Sequence, residues 1–130
     1  MAPRKSPSSY DRPKFPKKPA NQRISLTRAV ELTQRYRKAA PASEHSGFFF
    51  AKGIADLLSQ PGVFGMRVYH GLDADATYRI VLVGVDRQGE DIVGTRQIVA
   101  NAAARSLSTA VLLDGHLPCP PWCPPNSPLN

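Results

Sequence analysis

The last fifteen residues hold both cysteines and the only tryptophan of the chain: His116-Leu117-Pro118-Cys119-Pro120-Pro121-Trp122-Cys123-Pro124-Pro125-Asn126-Ser127-Pro128-Leu129-Asn130. Two thiols can do redox chemistry or ligate a metal. Cys119 and Cys123 stand four positions apart, one more than in a thioredoxin-type motif. Four residues of polyproline II would span about 12 Å, while a disulfide needs Cα atoms only ~4.4–6.8 Å apart. The sulfurs therefore meet only if the Pro-Pro-Trp segment turns sharply, and a cis bond at Pro121 in a type VI turn from Cys119 to Trp122 would achieve it. Three readings of this stretch stand side by side. It is a loose or surface-laid tail packed by Trp122 and Leu129, or a thiol or contact site made of Cys119, Pro120, Pro121, Trp122 and Cys123, or a metal site of His116, Cys119 and Cys123. Zinc normally takes four protein ligands, or three and an open position. The other histidines, His45 and His70, lie far away in sequence. Zinc stays open as a ligand, completed between protomers, and no other cofactor is expected.

Elsewhere the chain offers little that reads as catalytic. There is no GxSxG, no phosphate-cradling glycine loop, no HExxH and no suggestive pair of carboxylates. Asp73 and Asp75 resemble a fragment of a metal loop, but the glycine and distal glutamate of an EF-hand are missing, so they read as solvated carboxylates. His70 reads as an ordinary edge histidine. Phe48, Phe49 and Phe50 cannot all face inward, which leaves one for an interface. Arg4, Lys5, Arg12, Lys14, Lys17 and Lys18 could contact phosphates of nucleic acid or an acidic membrane, with Tyr10 and Phe15 stacking on bases. Such binding would be non-specific and salt-dependent.

The elements that must position these groups are set by composition. The formal charge is +7 over 130 residues. Residues 1–23 carry +6 of it, with Arg4, Lys5, Arg12, Lys14, Lys17, Lys18 and Arg23 against Asp11 alone, so the remainder is near neutral. Eleven of the 13 prolines fall in residues 1–22 and 118–130, and all nine glycines lie between Gly47 and Gly115. This divides the chain into a disordered basic arm (1–23), a single foldable domain (24–115) and a Pro/Cys-rich tail (116–130).

Within the domain, Ser25 reads as an N-cap. Leu26, Val30, Thr33, Tyr36 and Ala40 follow at helical spacing until Pro41, predicting a helix over 25–39 with a Glu31–Arg35 pair on its surface. A loop over 41–47 precedes a second helix, about 49–59, weakened by Gly53. Alternation over 63–70, the β-branched run Tyr78–Val85 and the partner 91–93 predict a three-stranded antiparallel meander, with Gly89 supplying positive φ in the hairpin. An alanine-rich run over 96–107 reads as a C-terminal helix. The fold class is thus α+β: two N-terminal helices, the meander, one C-terminal helix and an extended tail.

Four stretches, Ile24-Ser25-Leu26 with Glu31-Leu32-Thr33 and Tyr36-Arg37, Gly65 to Asp73, Leu82 to Asp86 with Gly89, and Leu117 to Cys123 ending in Pro128-Leu129-Asn130, together resemble a family of small uncharacterised bacterial proteins ending in a CPPxC-type tail. The resemblance spans about residues 24–130. It implies that the tail belongs to the design of the protein, and it implies no activity.

The function expected is that of a non-enzymatic bacterial binding or assembly module, contacting a protein partner or its own copies through the sheet and the C-terminal peptide. Alternatives are a thiol-redox or metal-binding protein acting through Cys119 and Cys123, and a nucleic-acid accessory protein acting through the arm. The Met1 start, without an apolar leader or an ~18-residue apolar run, points to the cytoplasm and to no membrane span. A signal-less export route stays open.

Overall fold

The computed structural model describes residues 13–94 and 110–130. Helix α1 spans Leu26–Ala39. Ser25 is extended, and its Oγ accepts from the Arg28 amide at 3.1 Å, which satisfies one of the free donors of the first turn. The helix stops at Ala39, two residues before Pro41, which disfavours helical backbone at its predecessor Ala40. Arg37 and Lys38 face the negative end of the dipole. Glu31 pairs at 3.5 Å with Arg28, one turn before it, where the sequence suggested Arg35, one turn after it.

The last two residues of the expected 41–47 loop, with Phe48, form a strand instead. β1 (Ser46–Phe48) pairs antiparallel with β5 (Leu117–Cys119), Ser46 opposite Cys119 and Phe48 opposite Leu117. The start of the tail is therefore stitched to the body. Helix α2 (Ala51–Leu58) begins later than expected, because Phe50 is extended and caps it. A Lys52–Asp56 pair at 2.9 Å crosses one turn of it, and Leu57 is its buried residue. Gln60 then ties the helix to a distant segment. Its Nε2 donates to the Leu57 carbonyl at 2.8 Å and its Oε1 accepts from the Val111 amide at 2.7 Å.

Strands β2 (Gly65–Leu72) and β3 (Tyr78–Val85) pair antiparallel along their whole length, Gly65 opposite Val85 and Leu72 opposite Tyr78. The third strand corrects the meander. Asp91 makes one bridge to Val85 and the Ile92 amide donates to the Gly84 carbonyl at 2.8 Å, but pairing goes no further there. The same edge of β3 is continued by β4 (Leu112–Leu113), opposite Val83 and Leu82. The hairpin before Asp91 is held by Asp86, whose Oδ1 accepts from the amides of Gln88 and Glu90, and Gly89 takes φ +83°. The helix expected over 96–107 lies outside the described residues.

The described residues are thus α+β, with two helices and a three-stranded antiparallel sheet in the order β2-β3-β4, plus the two-stranded β1–β5 pair. Among the described residues the buried apolar side chains are Leu57, Leu82, Val83, Val85 and Cys119. No helix among them is long and apolar enough to cross a membrane.

Candidate functional site

The tail and one cleft share a wall. Cys119, the last residue of β5, is buried, and its carbonyl accepts from the His45 amide at 2.7 Å. Cys119 and Cys123 are joined as a disulfide, their Cα atoms 4.7 Å apart. The turn that allows this has cis bonds at both Cys119-Pro120 and Pro120-Pro121, one more than the geometry of the sequence required. The Trp122 amide returns to the Pro118 carbonyl at 2.8 Å. The closed loop holds Trp122 outward, 62% exposed. Beyond it the chain lies back on the body. An Arg37 guanidinium nitrogen donates to the Leu129 carbonyl, and the side-chain amide of Asn130 sits 3.3 Å from Cys119 Sγ.

The metal candidates are not assembled. A disulfide offers no thiolate to an ion, and His116 points elsewhere, with Nε2 2.9 Å from Glu44 Oε2. No cluster of three His, Cys, Asp or Glu side chains suited to a metal occurs among the described residues.

The structure brings together groups that the sequence left unrelated. A cleft of about 710 Å³ lies between the end of α1, the 42–47 segment and the sheet, lined by Tyr36, Glu44, His45, His70, Tyr78 and Ile80 among others. His70 Nδ1 and the Tyr78 hydroxyl share a hydrogen bond at 2.6 Å. His116 lies buried behind the wall, its ring 6.0 Å from that of Tyr78 and 6.1 Å from that of Phe49. All three histidines thus meet around one corner. They come from different elements at unrelated spacings, so no local motif announces them. Nδ1 of His45 and Nδ1 of His116 are buried and find no hydrogen-bond partner among the described residues. His70 with Tyr78, and His116 with Glu44, are paired with each other. This is an arrangement that braces the walls and presents polar edges, and it shows no nucleophile held by a base.

The larger exposed features are apolar. The α1 stripe of Leu26, Leu32 and Tyr36 is open, and none of the fourteen residues of that helix is buried. Phe48 and Phe50 are exposed as well, ring against ring at 5.1 Å, so two of the three consecutive aromatics face outward. Of the basic arm, Lys14, Lys17 and Lys18 are exposed, while Arg4, Lys5 and Arg12 lie outside the described residues. Phe15 anchors this stretch edge-on against Phe64, with ring centroids 6.4 Å apart. Comparison with protein-family models, with curated proteins and with solved structures finds no match to this chain.

Proposed function

We propose that the protein is a non-enzymatic binding and assembly module of the kind its tail resembles among small bacterial proteins, joined to a partner or to its own copies through α1, the sheet and the C-terminal loop. One observation carries this reading. Helix α1 has a continuous apolar stripe and buries none of its residues, with Leu26 63% exposed. A helix of about fourteen residues is marginal on its own in water, and an amphipathic one normally draws its stability from the surface its stripe covers. Trp122 adds a second anchor. A large aromatic on a short covalently closed loop loses little freedom on docking, and tryptophan is prominent among residues that dominate interfaces.

The test uses the full chain and a Leu32→Glu/Tyr36→Glu variant. The mass in solution and the proteins retained from cell extract are compared between the two. The wild type should hold a partner or a second copy that the variant loses. Equal masses together with equal retained proteins would remove the reading.

The disulfide supports a second reading, thiol exchange at the tail. An external dithiol would attack Cys123 Sγ, the less buried sulfur, and release Cys119 as thiolate. The second thiol of the reagent would then displace Cys123 and leave as a disulfide. Thiol counting before and after reductant tests it, and two free thiols in the protein as isolated would end it.

A further inference from the structure

The cleft between the end of α1, the 42–47 segment and the sheet holds about 710 Å³, a size usual for small-molecule sites. Among the described residues that line it, Glu44 alone carries a formal charge at pH 7, and no lysine or arginine is present. The two oxygens of Glu44 differ. A carboxylate only accepts, so His116 Nε2 donates to Oε2, at 2.9 Å. Oε1 is not buried, and it has no hydrogen-bond partner among the described residues. Cations on the neighbouring elements have other partners. Arg79 is held by Asp73 and Asp114, and Arg37 by the Leu129 carbonyl.

The rest of the lining suits one kind of charge. Tyr36, Tyr78 and Ile80 supply apolar walls, and Ser43 and Ser46 supply hydroxyls. Tyr36 is 48% exposed and meets no other aromatic ring among the described residues. The face of such a ring attracts a cation and repels an anion. An anion would also meet the open oxygen of Glu44. The wall that carries this oxygen is held in advance. The His45 amide donates to the Cys119 carbonyl, Ser46 pairs opposite Cys119, and His116 fixes Glu44 from behind. Little ordering is then left to oppose binding.

We propose that this cleft binds a small organic amine, with its ammonium group on Glu44 Oε1 and its apolar body against Tyr36, Tyr78 and Ile80. An ammonium group has only donors, which match a free carboxylate oxygen beside hydroxyls. A quaternary ammonium would use the rings but leave Oε1 without a donor. The volume exceeds what an ammonium group alone fills, so the amine carries an aryl or alkyl body. This inference goes beyond the assembly reading and does not depend on it. Tyr36 belongs to both surfaces, whereas Glu44 lies outside α1 and separates them.

The experiment titrates the full chain near neutral pH with three probes of similar size and different charge: phenethylamine, phenethyl alcohol and hydrocinnamate. Ring signals of Tyr36, His45 and His70 are followed by NMR up to about 10 mM probe. The amine should bind at least about tenfold more tightly than the alcohol, and the carboxylate most weakly. Glu44→Gln keeps an acceptor for His116 and should erase the preference for the amine over the alcohol. Tyr36→Leu keeps an apolar wall and should weaken the amine several-fold while leaving the alcohol unchanged. It decides should the glutamine variant fail to fold by circular dichroism. An amine that does not bind, an alcohol that binds as tightly, or an amine indifferent to both variants overturns the proposal. A fourth probe, N-acetyl-lysine methylamide, carries the same ammonium group on a peptide unit. Tighter binding of that probe would give the site to a lysine of a partner protein and overturn the small-ligand proposal. A chain of single mass that still binds the amine keeps this proposal after the assembly reading has failed.

Discussion

Gly47 sits where β1 meets the buried ring of His116. A Cβ there would fall 2.7 Å from His116 Cδ2 and 2.9 Å from Ile80 Cδ1, and neither a buried ring nor a packed isoleucine yields easily. Gly47→Ala should therefore cost about 1–3 kcal/mol in denaturant unfolding, in the range of overpacked cores. Ala76 is the opposite case, since it holds φ +65° in the turn between β2 and β3, a conformation that disfavours any residue with a Cβ. Ala76→Gly should stabilise the protein by about 1 kcal/mol, read from the same unfolding curves. The neighbouring Asp75 carboxyl lies below its ordinary value of 3.8, chiefly because the Thr77 side chain and then the Thr77 amide donate to it. A lowered carboxyl stabilises the fold above its unfolded value, and that contribution disappears as the pH drops through the folded value. An NMR titration of Asp75 should find its midpoint below 3.8 in the wild type and closer to it in Thr77→Val.

Elements made by local pattern were legible before any coordinates. Ser25 and Pro41 bracket α1, and the β-branched run over 78–85 is the central strand, because caps, prolines and side-chain periods act over a few residues. Pairings between distant short segments were not legible. β1 and β5 are three residues each, and their partnership spans Ser46 to Cys119. A three-residue stretch shows no period, so the 41–47 region reads as loop. The third strand was misplaced for a related reason. Residues 91–93 have the right composition, yet Gly94 interrupts them, and Leu112–Leu113 completes the edge. The cleft escaped notice because Tyr36, His45, His70 and Tyr78 belong to four separate parts of the chain. The cysteine pair lay between these extremes. Its spacing demanded a sharp turn for closure, but nothing in the residues said that the turn forms. Closing a loop of about five residues is worth about 2 kcal/mol in the chain-entropy account, so a Cys119→Ala/Cys123→Ala variant should lose roughly that much stability.

At the scale of the whole molecule, the described residues bury few apolar side chains and leave much apolar surface open, and the assembly proposed above would cover part of it. On that reading the melting temperature should rise with protein concentration in the wild type and stay flat in Leu32→Glu/Tyr36→Glu, as mass action requires when only the folded chain associates. Disulfides persist in oxidising compartments, so the paired tail fits an oxidising compartment and not a reducing one. Rapid alkylation of living cells before lysis separates them: a cytoplasmic protein should yield two labelled cysteines and an exported one none. The β1–β5 pair carries a consequence for how the protein is made. Ser46 must wait for Cys119, and Leu82 must wait for Leu113, before either finds its neighbour. Contacts so far apart form late and slowly, and until they do their strands stay available to the wrong partner. A nascent chain still missing its last twenty residues therefore lacks β4, β5 and the disulfide that help to fasten its hairpin and two helices. A tag or truncation at the C-terminus would disturb completion of the fold more than the same change at Met1.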